Sequence, residues 1–272
     1  MKVKSLVSAG IAVSRRTNIA LLVSCLLLPL GASAAPVTVI VGDPTWGSTG
    51  NSAGGSSAIT ATQARSGNGS LEMTGDRTRF VGLGNPFSSA SNLGLLNDVS
   101  RLSFDWNIAV GSLTGLDPDY TPALRLHIWD GAQRSELIWE GAYNGTYGNT
   151  TKGTWYQSGA SDKFWRFETG IGQTDDPAQV LLSLSGWETG ANSGGAQWYS
   201  DNAYVSAISV GVGSSAGGGY RAFADNVQFA IGNQDNTYNF ETQASGTVPE
   251  PGSLALAGLA LAGLAASRRR KA

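Results

Sequence analysis

Strict alternation of apolar and polar side chains across Leu102–Ile108 constrains the fold more than any other feature of the chain. Such alternation is typical of a strand with one face on a core and the other on polar surroundings. Ala123–Trp129 repeats the pattern, with Leu or Ile at every second position. Both strands need pairing partners, so the chain must build a layered β fold. The residues predicted to face the core are Leu102, Phe104, Trp106, Ile108, Leu124, Leu126 and Ile128.

About ten short strand patterns follow one another between residues 37 and 241, most of them separated by turn-forming residues. Only one helix is predicted, opening at Asp176 and ending near Ser183. We therefore predict an all-β fold, an antiparallel two-sheet sandwich that is closer to a jelly roll than to an immunoglobulin domain. The chain has no clear internal repeat, which argues against a propeller or a β-helix.

The first 34 residues have the organisation of an export signal. An apolar stretch, Ile19–Leu30, follows a basic region and precedes a small-residue site. We predict a signal peptide over residues 1–34 that signal peptidase cuts between Ala34 and Ala35, because a later cut would place Pro36 beside the scissile bond. The basic residues are Lys2, Lys4, Arg15 and Arg16.

Two other interpretations of this segment remain open. Ser14–Thr17 resembles a twin-arginine signal, although Asn18 stands where an apolar residue is usual. Leu22–Cys25 resembles a lipoprotein box, although three further leucines follow Cys25. Cys25 is the only cysteine, so a chain cut after Ala34 has no disulfide and depends on its core for stability.

The last residues, 248–272, have three parts. Pro249-Glu250-Pro251 stays extended, because each proline fixes φ and lacks an N–H group. The uncharged run Ser253–Ala266 would form a helix of about 20 Å, short of the ~30 Å hydrocarbon core. We predict a short transmembrane helix that retains the protein before cleavage, with its basic end in the cytoplasm. The basic residues are Arg268, Arg269, Arg270 and Lys271.

This order of motif, apolar run and basic end resembles the PEP-CTERM sorting signal of Gram-negative bacteria. The resemblance implies recognition by an exosortase, a membrane cysteine transpeptidase-like enzyme, and transient anchoring in the inner membrane. It also implies a final location in the cell envelope or extracellular matrix, in bacteria that make exopolysaccharide. The alternatives are an amphipathic surface helix or a frayed tail, and the lack of a polar face argues against the former.

Short segments along residues 35–247 carry a second, looser resemblance. They are Phe104-Asp105-Trp106, Ala123-Leu124-Arg125-Leu126, Ile138-Trp139-Glu140 with Tyr143-Asn144-Gly145, Ala224-Asp225-Asn226-Val227 and Tyr238-Asn239-Phe240-Glu241. Together they look like a recurrent bacterial sandwich domain that often precedes a PEP-CTERM tail and is similar in shape to carbohydrate-binding modules. The resemblance implies the fold and secretion, and it carries over no catalytic residue.

Charge is distributed unevenly along the chain. Eight of the 18 Lys and Arg residues lie in the two terminal signals, so residues 35–247 hold ten cations and nineteen acids, a formal charge of −9. Nucleic acid and anionic membrane are therefore not expected partners. A neutral exopolysaccharide or a divalent cation fits this charge better.

The candidates for catalysis are few. His127 is the only histidine and lies within a strand, and no Gly-x-Ser-x-Gly segment provides a nucleophile. Several His or Cys ligands for zinc are also missing. Glu136 and Glu140 share a strand face but lie roughly 13 Å apart along it, too far for a direct pair of glycosidase carboxylates. We expect a protein that is not an enzyme.

Aromatic side chains give the stronger signal, because all eight tryptophans lie within residues 35–247. Sugar rings stack on flat aromatic faces, although tryptophan in a sandwich is also a common core residue. In Trp155-Tyr156 and in Trp198-Tyr199, neighbouring residues should point to opposite faces, one inward and one outward. The predicted glycan contacts are His127, Trp129, Trp155, Tyr156, Trp198 and Tyr199.

A calcium site is the remaining ligand hypothesis. Sandwich domains often use Ca²⁺ bound by Asp, Asn and Glu oxygens near strand ends. The candidates are Asp225, Asn226 and Glu241, although no contiguous calcium loop is present.

These observations predict an exported envelope or matrix protein, processed by exosortase, whose ectodomain binds polysaccharide or matrix components. A purely structural matrix protein without a specific ligand is the alternative. A hydrolase or lyase acting on polysaccharide is the third possibility.

Overall fold

The computed structural model describes residues 35–113, 120–145, 150–169, 180–192, 194–214, 216–244 and 259. Within these residues, two seven-stranded sheets contain all the strands. In chain order, the strands are β1 Val37–Ile40, β2 Trp46–Ser48, β3 Ser56–Thr60, β4 Ser70–Thr74, β5 Thr78–Gly82, β6 Gly94–Leu95, β7 Val99–Ile108, β8 Ala123–Asp130, β9 Gln133–Trp139, β10 Tyr156–Gln157, β11 Trp165–Glu168, β12 Tyr204–Val212, β13 Arg221–Ile231 and β14 Gln234–Glu241.

The first sheet is organised around β13. Along one side β13 pairs with β7, which in turn pairs with β10. Along the other side its first half pairs with β4 and its second half with β14. The outer strands are β3, next to β4, and β1, which pairs with β14 in parallel. The sheet is therefore antiparallel except at β1.

The second sheet has the order β11-β9-β8-β12-β5-β2, and β6 pairs with the start of β12. The inner faces of both sheets meet in one aromatic and aliphatic core, in which the Trp139 ring packs edge-on against Phe104 and near Trp106. The all-β, two-sheet prediction is confirmed. The predicted core residues of β7 and β8 are all at most 4% exposed.

The helix predicted from Asp176 to near Ser183 is not seen over its described part, and residues 176–179 lie outside the described residues. Residues 180–183 are not helical, and helix α1 runs from Leu184 to Thr189. Ser183 is its N-cap, with its hydroxyl accepting a bond from Gly186 N at 3.2 Å. A serine that ends a predicted helix instead begins the observed one, because serine side chains satisfy the free N–H groups of a first turn.

The predicted signal peptide and the predicted transmembrane helix lie outside the described residues. Ala35, on one side of the predicted cleavage site, and Leu259, within the predicted membrane helix, are the exceptions. Among the described residues, none of the helices has the length and apolar character that a membrane span requires.

Candidate functional site

A cluster of charged side chains lies on the outer face of the second sheet. In β8, the alternation that turns Leu124 and Leu126 into the core places Arg125 and His127 on the opposite face. The register pairs His127 with Glu136 of β9, and directly paired residues share a face. Arg125, His127 and Glu136 are only 4%, 0% and 2% exposed, which is unusual for polar groups outside a core.

The segment between β5 and β6 explains part of this burial. The carbonyl of Pro86 accepts a hydrogen bond from Arg134 Nε at 2.6 Å. The Phe87 ring lies 4.8 Å from the guanidinium of Arg134 and 5.7 Å from that of Arg79. Both distances are within the range of cation–π attraction. This segment therefore folds over the charged face and shields it from solvent.

Three arginines converge on Glu136. Arg79 Nη2 donates to both carboxylate oxygens, at 2.9 and 3.2 Å, and Arg134 Nη2 donates to Oε1. Arg125 Nε lies 3.8 Å from Oε2. Burial alone would raise the pKa of Glu136, but His127 and the surrounding guanidinium groups hold that pKa well below its usual value. Glu136 is therefore a buried carboxylate that stays ionised.

His127 is neutral at pH 7. Its burial lowers its pKa to about 4, and the charges of Arg79 and Arg134 add to this effect. Its Nδ1 lies 3.2 Å from Arg134 Nη2, which can only donate, and Nε2 lies 2.8 Å from Ser209 Oγ. The same Nδ1 lies 3.4 Å from Glu136 Oε1, so the donor Arg134 and the acceptor Glu136 both face this nitrogen. With no exposed surface, His127 supports the arginine cluster and does not reach solvent.

A cavity of about 430 Å³ opens beside this cluster. Trp165 and Phe167 of β11 pair with Ile138 and Glu136, so the two aromatic side chains stand on the same face as the charges. The lining residues are Arg77, Arg79, Tyr120, Arg125, Glu136, Ile138, Glu140, Tyr143, Trp165, Phe167, Gly213 and Ser214. The cavity thus combines aromatic walls with a strongly polar floor.

Glu140 and Tyr120 meet at one end of the cavity. Burial raises the pKa of Glu140, while Arg125 and a hydrogen bond from Trp165 Nε1 at 3.3 Å act in the opposite direction. Burial and the nearby Glu140 also raise the pKa of Tyr120, so its hydroxyl stays protonated. A Cβ on Gly213 would lie 2.3 Å from that hydroxyl, so a larger residue there would force Tyr120 to move.

Arg125 carries N–H groups that the described residues leave without a hydrogen-bond partner. Its Nη2 donates to Val212 O at 3.3 Å, and its Nη1 has no hydrogen-bond partner among the described residues. Nη1 lies over Gly211, where an added Cβ would approach it to 2.9 Å and Thr78 O to 2.0 Å. Glycine at 211 therefore leaves room for the buried guanidinium of Arg125, a residue that lines the cavity.

The predicted glycan contacts do not line this cavity. Tyr156 stacks on Trp106 at 4.9 Å between ring centroids, and Trp155 lies under the Arg65 guanidinium at 5.9 Å. Trp129 borders a separate cavity of about 330 Å³ next to Phe87 and Thr169.

Tyr199 is buried and Trp198 is partly buried, and both rings contact the rest of the fold. Tyr199 is 4% exposed, with its hydroxyl 2.9 Å from Ser135 Oγ, and Trp198 packs on Trp187 with centroids 5.1 Å apart. Both residues lie outside regular strands, so the period-two rule does not apply to them.

Sequence reasoning considered Glu136 and Glu140 only as catalytic carboxylates and did not name the other residues that form the site. The alternation places Arg125 on the same polar face as His127, but this position alone does not mark it as a site residue. Trp165 and Phe167 belong to a segment predicted as an aromatic strand, but nothing in the sequence shows that β11 pairs with β9. Arg79 lies between Thr78 and Phe80 in a short strand, and its long-range partner Glu136 leaves no local signal.

The three calcium candidates lie where β14 ends against β4. Asp225 accepts backbone hydrogen bonds from Phe240 and Asn226 through Oδ1 and from Ser66 through Oδ2. Glu241 accepts bonds from Asn68 N and Asn239 Nδ2, and Asn226 has a left-handed φ of 48°. These carboxylates hold backbone segments together. No group of three or more His, Cys, Asp or Glu residues within the described ranges is arranged to hold a metal ion, and calcium binding stays a prediction.

Comparison with known proteins assigns the C-terminal segment. Residues 247–271 match the PEP-CTERM protein-sorting motif. No curated protein matches the chain. The motif indicates an exported protein that exosortase processes and that is anchored transiently in the membrane.

Proposed function

We propose that the exported domain binds polysaccharide or other matrix components, and that its binding site is the 430 Å³ cavity on the outer face of the second sheet. The observation that carries the proposal is the pairing of aromatic walls with buried hydrogen-bonding groups in one cavity. Protein sites for small ligands have volumes in this range and combine aromatic side chains with fixed polar groups. Sugar rings present apolar C–H faces for stacking and hydroxyl groups for hydrogen bonds.

The position of these groups on strands supports the proposal. Trp165 is held by its register opposite Ile138 and by its hydrogen bond to Glu140. Arg79 is held by Glu136. Side chains that are fixed before a ligand arrives lose little conformational entropy when it binds.

A binding role fits the carboxylates better than a catalytic one. Glu136 and Glu140 both line the cavity, and a glycosidase also uses two carboxyl groups in one site. However, a nucleophile or general base needs a free carboxylate oxygen, and both oxygens of Glu136 already accept hydrogen bonds from guanidinium groups. We therefore propose that the protein is not an enzyme.

The proposal is tested with a glycan array probed with the secreted protein, with and without calcium. We expect binding to a subset of polysaccharides, weakened in Trp165→Ala and retained in Trp155→Ala, which changes a tryptophan outside the cavity. An array without any signal would overturn the proposal and favour a purely structural matrix protein.

A further inference from the structure

The cavity is locally cationic, although residues 35–247 together are acidic. Four of the ten cations in this part of the chain, Arg77, Arg79, Arg125 and Arg134, lie in or next to the cavity. The carboxylates near them are Glu136, Glu140 and Asp76, which acts on Tyr120. Burial also favours the neutral form of Glu140. The site therefore has an excess of positive charge that overall composition conceals.

Some N–H groups of these arginines have no hydrogen-bond partner among the described residues. Arg134 is saturated, since its nitrogens donate to Pro86 O, Thr169 Oγ1 and Glu136. Arg125, in contrast, is 4% exposed and has an unpartnered Nη1, and the buried Nε of Arg79 also has no partner among the described residues. Buried donors of a charged group are normally satisfied, and a carboxylate satisfies a guanidinium best, through two parallel hydrogen bonds.

The aromatic walls restrict the kind of anion. A free phosphate or sulfate would pair with the arginines but would leave Trp165 and Phe167 without a contact. A pyranose ring that carries a carboxylate offers both a flat C–H face and a charged group. About 430 Å³ accommodates one or two such rings.

We propose that the cavity selects sugars that carry a carboxylate, so that the polysaccharide recognised is built from hexuronate residues whose carboxylates pair with Arg125. This inference rests on the proposed polysaccharide-binding function and replaces the neutral ligand expected from overall charge. Trp165 stacks on the sugar ring, and Arg79 and Arg77 contribute positive potential at the cavity wall.

The test compares two probes with the same sugar backbone, the charged tetragalacturonate and its neutral methyl ester, by isothermal titration calorimetry on the secreted protein. We expect the acid to bind about tenfold more tightly or better, as for the loss of a charge-assisted hydrogen bond. Arg125→Gln should reduce binding of the acid to the level of the ester. Trp165→Ala should weaken both probes, and Trp155→Ala should change neither.

Equal affinity for acid and ester in the wild-type protein overturns the uronate inference while leaving polysaccharide binding intact. Binding of neutral glycans on the array, with neither probe bound, also overturns it. Complete competition by millimolar sulfate, with no effect of Trp165→Ala, overturns it in favour of simple anion binding. If Arg125→Gln does not fold, the wild-type comparison of acid and ester decides the question alone.

Discussion

Arg79 of β5 donates two hydrogen bonds to Glu136 of β9, although β8 and β12 lie between the two strands. The register also offsets the two residues, because Glu136 lies level with Ala207 of β12 and Arg79 with Gly211. A flat sheet would separate them by about 14 Å across the strands and about 13 Å along them. The side chains can meet only if the sheet curves toward this face, so the pair stabilises the concavity that holds the cavity.

We predict that Glu136→Gln destabilises the protein by about 3–5 kcal/mol, because it removes the carboxylate on which three buried guanidinium groups converge. Urea unfolding followed by tryptophan fluorescence measures the change. The matched control is Glu72→Gln, which breaks the more exposed pair of Glu72 with Arg221. The control should cost about 1 kcal/mol or less. Similar losses of unfolding free energy in both variants would contradict a special structural role for Glu136.

Asp225 should make the protein less stable as the pH rises from about 4 to about 7. Burial raises its pKa from 3.8 to about 7, so the folded state binds the proton more tightly than the unfolded state across this range. Stability from this proton is fully present below pH 3.8 and is lost as the pH passes the folded pKa. The effect is on the order of 4 kcal/mol. Asp225→Asn should remove this dependence in urea titrations between pH 4 and 8, and an unchanged slope would contradict the prediction.

Glu136 should change the stability of the protein in the opposite direction, because the stability it contributes is lost as the pH falls. Its folded pKa lies below its unfolded value of 4.5, so its contribution is present above pH 4.5 and is lost as the pH falls through the folded pKa. The difference in stability between wild type and Glu136→Gln should therefore shrink below pH 4.5. A difference that stays constant down to pH 3 would argue against an ionised Glu136.

The alternation of Leu102–Ile108 and Ala123–Trp129 predicted which side chains face the core, because strand geometry alone decides it. It could not predict that His127, on the other face, is also buried. That burial depends on a segment distant in sequence, Pro86–Phe87, folding over the second sheet. The cavity likewise depends on β5, β9 and β11 lying in one sheet, and their pairing is set by contacts that no local pattern contains.

The calcium site predicted at Asp225, Asn226 and Glu241 can be tested by its effect on thermal stability. If Ca²⁺ binds there, it binds the folded state alone, so a chelator should lower the melting temperature and added Ca²⁺ should restore it. Calcium would also oppose protonation of Asp225 and flatten the pH dependence predicted above. Differential scanning calorimetry with EDTA and with excess Ca²⁺ measures both effects. The same melting temperature in both buffers would contradict calcium binding at this site.

Substitutions at Trp155 and Tyr156 should differ in their effect on stability, because only Tyr156 stacks on a core side chain. Tyr156 is half-buried and stacks on Trp106, and its hydroxyl accepts a bond from Thr151 N at 2.8 Å. Tyr156→Ala should therefore cost about 2–3 kcal/mol. Trp155→Ala should cost less, because Trp155 packs mainly under the partly exposed Arg65. Thermal melts of the two variants decide it, and a larger loss for Trp155→Ala would contradict the assignment.

The sorting signal should control processing independently of the sandwich. We predict that Glu250→Ala, or deletion of residues 268–271, leaves the protein uncleaved in the inner membrane, because residues 247–271 match the PEP-CTERM motif through these same parts. Fractionation followed by mass spectrometry of the C-terminus measures the outcome. Glu72→Gln, a mild change within the sandwich, is the control and should leave cleavage unaffected. Wild-type protein recovered outside the cell with Ala272 still attached would contradict exosortase processing, since cleavage at the motif removes the apolar run and the basic end together.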